Sequence, residues 1–73
     1  MPELRRVSGR EAIRVLEKLG FEQVRQRGSH VILKRQIPEG DVGCVVPLHH
    51  ELAIGTLRGI LKQAGVTPEG FVD

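Results

Sequence analysis

A chain of 73 residues has room for one hydrophobic core and hides only about 60% of its unfolded surface, so its stability is modest, on the order of 5 kcal/mol. Its single cysteine, Cys44, excludes an internal disulfide and a cysteine-built structural zinc site, and no apolar run approaches the roughly 20 residues of a membrane span. The formal net charge is only +2, yet residues 1–35 carry nine Lys/Arg against four Glu, or +5, while residues 36–73 carry two against five acids, or −3.

The start, Met1-Pro2-Glu3-Leu4-Arg5-Arg6, lacks the apolar core of a signal peptide, so the expectation is one soluble, cytoplasmic domain over residues 1–73. The uneven charge suggests an anionic partner for the N-terminal half, with ordinary solvated surface as the plainer alternative.

Ser8 opens the first predicted helix as its N-cap, and Glu11 three residues later completes a capping box. Ile13, Leu16 and Leu19, supported by Ala12 and Val15, make an apolar stripe at helical spacing. Gly20 supplies the left-handed stop, and Phe21 can fold back on Leu16. Arg10, Arg14 and Lys18 recur every fourth residue and stack three cations along an exposed ridge.

Three short strands follow. Phe21 to Arg27 reads as the first, with Arg25 on one side and Val24 and Gln26 on the other. Gly28-Ser29 turns the chain, and His30 to Arg35 forms the second strand, with His30, Ile32 and Lys34 on one face and Val31, Leu33 and Arg35 on the other. Pro38-Glu39-Gly40-Asp41 signals a loop, and Gly43 to Val46 the third strand, ended by Pro47.

A second helix is expected from about Ile54 to Ala64, where Leu57, Ile60, Leu61 and Ala64 fall on one stripe. Gly65 stops it and Val66 can contact Leu61; Gly59 in its middle costs roughly 1 kcal/mol. Thr67-Pro68 then starts a short turn in which Phe71 can staple against Val66. The order predicts a two-layer α+β fold of helix, three-stranded antiparallel sheet and helix, with both helices on one face. It is the element order of the double-stranded-RNA-binding domain, and order alone does not give function.

The residues that carry chemistry centre on Gly28-Ser29-His30. A tight turn delivers a histidine to the first position of a stiff strand, with Arg25 and Arg27 just before it and Lys34 after it. Histidine is the side chain whose ordinary pKa, roughly 6.5, lets it exchange a proton near neutrality. A neutral imidazole can take the proton of a ribose 2′-OH as that oxygen attacks the adjacent phosphate, while Arg25, Arg27 or Lys34 stabilises the charge that builds. This route calls on no metal and no small-molecule cofactor. Gly28 allows the backbone shape that aims His30, and Ser29 can orient the ring or donate to an oxyanion. The acid that protonates the leaving oxygen is left open between His49 and water. The plainer reading of His30 is a histidine that merely caps a turn.

Pro47-Leu48-His49-His50 is either a polar loop entering the second helix or a segment that places His49 on the same edge as His30. Metal binding by His30, His49, His50 and Cys44 matches no recognised ligand spacing. Arg10, Arg14 and Lys18 are a solvated helix face or a set of phosphate contacts that would make binding salt-sensitive. The only aromatics, Phe21 and Phe71, are committed to helix ends, so backbone contacts, not base stacking, should dominate any RNA binding.

Leu19-Gly20-Phe21, Arg27-Gly28-Ser29-His30, Val46-Pro47-Leu48-His49, Gly55-Thr56-Leu57 and Ile60-Leu61-Lys62-Gln63-Ala64-Gly65 together resemble the HicA toxins of HicA–HicB toxin–antitoxin systems, over about Gly9 to Phe71. The resemblance implies a double-stranded-RNA-binding-like fold and mRNA interferase activity that blocks translation. It implies that His30 is the catalytic histidine and that a larger HicB-type antitoxin covers the active surface. Gly59 departs from the more helix-favouring residue usual there, and the loop from Gln36 to Val42 is of a variable kind. Two other readings stay open beside it: a non-catalytic RNA-binding module, and a small protein whose basic face meets an acidic protein partner.

Overall fold

In the structure, a computed structural model that describes residues 4–72, helix α1 runs from Gly9 to Lys18. Met1-Pro2-Glu3 of the basic start lie outside the described residues. The capping box forms as expected: the Glu11 N–H donates to Ser8 Oγ and the Ser8 N–H donates to Glu11 Oε1, both at 3.0 Å. These bonds hold the Glu11 carboxyl below its ordinary pKa, the backbone bond from Ser8 being the largest cause. At the other end Gly20 sits at φ +100°, and the Phe21 N–H donates to the Leu16 carbonyl at 3.0 Å, closing the helix as the glycine predicted.

Strands β1 (Glu22–Arg27), β2 (His30–Ile37) and β3 (Gly40–Pro47) form an antiparallel sheet in that order. The second and third are longer than expected because the Pro38-Glu39-Gly40-Asp41 loop shrinks to a tight turn: Gly40, at φ +136°, already pairs with Ile37. Val31 pairs with Val46 and Leu33 with Cys44, which puts those four on one face, all buried.

The first strand departs from simple alternation. A bulge at Val24 shifts the register, so Gln23 pairs with Leu33 and Gln26 with Val31, while Arg25 pairs with Ile32. Gln23 and Gln26 therefore share the face of the buried Leu33 and Val31. Val24, placed with Gln26 by the sequence pattern, is instead 51% exposed and borders a hollow with Glu22, Lys34 and Gln36.

Helix α2 (Ile54–Ala64) buries the predicted Leu57, Ile60, Leu61 and Ala64 and ends at Gly65, φ +71°, with the Val66 N–H on the Leu61 carbonyl at 3.0 Å. Helix α3 (Pro68–Val72) is one short turn capped by Thr67, whose Oγ1 accepts the Gly70 N–H at 3.0 Å, and it buries Phe71. Ala12, Ile13 and Leu16 of α1, the α2 stripe, Leu52, Phe71 and the inner face of the sheet form one cluster. Both main helices therefore cover one face of the sheet and leave the other open, the predicted two-layer α+β arrangement.

Three backbone hydrogen bonds stitch the segment after β3 to the rest. The Leu48 N–H donates to the Ser29 carbonyl at 2.6 Å, the Gly9 N–H to the His49 carbonyl at 2.9 Å and the Leu52 N–H to the Val7 carbonyl at 2.7 Å. Gly9 is required here, because a Cβ at that position would collide with the Pro47 carbonyl oxygen.

Candidate active site

Cross-strand partners share a face, so the register alone lays out the open side of the sheet. Its end row is Arg27, His30 and Pro47, the proline itself buried; the next is Arg25, Ile32 and Val45; the third is Glu22, Lys34 and Gly43. His30 is exposed at the first position of β2, directly opposite Arg27, whose Cβ such pairing puts about 5 Å away. Arg25 is one row further and Lys34 two rows, which is roughly 13 Å of strand from His30. Lys34 lies against Gly43, where a Cβ would stand 3.4 Å from its Cγ.

The turn that carries Gly28 and Ser29 is held from two sides. Gly28 adopts φ +59°, a conformation costly for other residues, and its carbonyl accepts the Gln26 Nε2–H at 3.0 Å. The Ser29 carbonyl is tied to Leu48. That bond, with the pairing of Pro47 and His30, brings the backbone of Leu48 and His49 to the same end of the sheet as His30. Among the described residues no side-chain hydrogen bond engages the His30 ring, the His49 ring or the Ser29 hydroxyl.

The six cations singled out in the sequence do not form one surface. Arg25, Arg27 and Lys34 belong to the open sheet face with His30. Arg10 and Arg14 instead line a groove between α1 and β1, with Gln23, Gln26, Glu17 and Leu48, on the helix side of the sheet. Lys18 continues the ridge but does not border that groove. The sequence pattern set Gln26 opposite Arg25, as the register does, but gave neither glutamine a role, and only the bulge brings Gln23 to the same face as Gln26.

Cys44 is held apart from the histidines. It is buried on the inner face, and burial pushes its thiol up to about 11 from an ordinary 9.0. At neutral pH it is a protonated small hydrophobe, with neither the thiolate nor the location of a ligand for the exposed His30, His49 and His50. Among the described residues no helix is long and apolar enough to cross a membrane.

An exposed imidazole on a stiff strand, faced by an arginine and open to solvent, is equipped to move a proton beside an anion. No curated protein matches the sequence. The family model described as the HicA toxin of bacterial toxin–antitoxin systems matches residues 9–66, from the first residue of α1 to just past the end of α2. The chain belongs to the HicA toxin family.

Proposed function

We propose that this chain is an mRNA interferase, an endoribonuclease that cuts mRNA in the cytoplasm, stops translation and is neutralised by a HicB-type antitoxin covering the open sheet face. The neutral His30 imidazole takes the proton of a ribose 2′-OH. The 2′-oxygen bonds to phosphorus, the bond from phosphorus to the 5′-oxygen breaks, and the products are a 2′,3′-cyclic phosphate and a 5′-hydroxyl. Arg27, opposite His30, stabilises the negative charge that develops on the phosphorane, with Arg25 one row behind it. Lys34 is too far along the strand for the reacting phosphate and meets a neighbouring one. Ser29 contributes an oxyanion donor, and the proton for the departing oxygen comes from His49 or from water; His49→Ala separates the two.

The observation that carries this reading is the exposed His30 ring opposite Arg27 on the uncovered face of the sheet. It is supported by membership of the toxin family. The test is incubation of a labelled mRNA with the purified protein in excess EDTA. Fragments ending in 2′,3′-cyclic phosphate, with the all-deoxy version of the same sequence left intact, are expected. Binding without cleavage would replace the enzyme with a non-catalytic RNA-binding module. Growth arrest on expression, relieved by the product of a neighbouring gene, tests the antitoxin.

A further inference from the structure

We propose that the groove between α1 and β1 is a second RNA site, which holds the ribose–phosphate backbone and reads its 2′-hydroxyls separately from the chemistry at His30. The proposal rests on RNA being the substrate, and it assigns to RNA a set of residues that the cleavage step does not use.

The groove has two kinds of polar wall. Arg10 and Arg14, one helical turn apart, stand on the α1 side, and Gln23 and Gln26 on the β1 side. The only ion pair among the described residues joins Arg6 to Glu51, so both groove arginines keep their donors for an outside anion. Guanidinium donors suit phosphate oxygens.

The glutamines are committed differently. Gln26 Nε2 donates to the Gly28 carbonyl at 3.0 Å and Gln23 Nε2 donates to Glu17 Oε2 at 3.3 Å. Their amide oxygens, which can only accept, are used by no hydrogen bond among the described residues. A phosphate diester has no proton to offer such an oxygen, whereas a 2′-OH does, and the 2′-OH is the group that separates RNA from DNA. The Glu17 carboxylate at the Gln23 end repels phosphate and so favours phosphates at the arginines and ribose edges at the glutamines. With Phe21 and Phe71 both buried, bases find no aromatic platform, and the backbone is what the groove can read.

The bulge at Val24 is what makes this site: it puts both glutamines on the helix side while Arg25 and Arg27 stay on the other. Gln26 is the neighbour of Arg27, so a strand leaving the groove that rounds the Gly28-Ser29 turn meets His30 of β2 on the opposite face of the sheet.

The test uses His30→Ala protein, which should hold RNA without cutting it, and two fluorescent hairpins of one sequence, one RNA and one DNA. The RNA is expected to bind more tightly. Gln23→Leu with Gln26→Leu should weaken RNA binding about tenfold, the effect of roughly two hydrogen bonds, and leave DNA binding unchanged. Arg10→Ala with Arg14→Ala should weaken both and lower the salt dependence of both by about one to two counterions. Equal affinity of His30→Ala for the two hairpins, a glutamine effect shared equally by RNA and DNA, or no glutamine effect would overturn the proposal. Failure of the unmodified protein to cleave mRNA would instead strike the nuclease reading, which this binding comparison leaves separate.

Discussion

The two faces of the sheet are made of alternate residues of the same strands and have nothing else in common. On the inner face Val31, Leu33, Cys44 and Val46 are sealed under the helices; on the outer face His30, Lys34, Arg25 and Arg27 are exposed. The fold therefore draws on one face and the chemistry on the other, and a substitution one residue along β2 should change which of the two is lost.

Neighbouring residues give the sharpest contrast. Leu33→Ala is expected to cost about 2–5 kcal/mol, most of the stability a chain of this size has, whereas half-buried Ile32→Ala on the open face should cost less than half as much, both read from urea unfolding. Equal costs would mean that the open face is covered in solution. The inner face also sets an alkaline limit. With the Cys44 thiol raised to about 11 from 9.0, its stabilising contribution is fully present below pH 9 and is lost as pH climbs towards 11, because only the unfolded chain ionises in that window. Thermal melting across pH 8 to 11 should show this decline, and Cys44→Ala should flatten it.

On the open face, Arg25→Ala and Arg27→Ala should leave melting within about 0.5 kcal/mol of the parent. Each should lower the log–log salt slope of RNA binding by about 1, measured by titration at several salt concentrations. The smallest effect is a gain away from both faces. Nothing lies within 4 Å of a Cβ built at Gly59, so Gly59→Ala should stabilise α2 by up to about 1 kcal/mol without touching RNA binding.

What the sequence made legible was local. Ser8, Glu11, Gly20 and Gly65 each act on their own helix end, and the α2 stripe repeats at a period that needs no knowledge of the sheet. Alternation along β2 separated His30, Ile32 and Lys34 from Val31 and Leu33, and the pairing with β3 runs without a bulge from His30 to Ile37. Which of the two faces the helices cover, however, is set by the packing of the core. The rest is non-local. Gln26 was read correctly as facing away from Arg25, but the bulge at Val24 breaks the period of two, so the sides of Gln23 and Val24 could not be read. The seat of α1 against Pro47, which demands a glycine at position 9, joins residues nearly forty positions apart. The division of the cations was hidden by packing, since the α1 ridge and the arginines of β1 are placed relative to each other only by the packed core.

The most direct measurement is the cleavage rate of a labelled mRNA by His30→Ala, taken with its melting curve. A loss of at least about 100-fold in rate, with the melting transition unmoved, is what an exposed general base predicts. Undiminished cutting by the folded variant would contradict it.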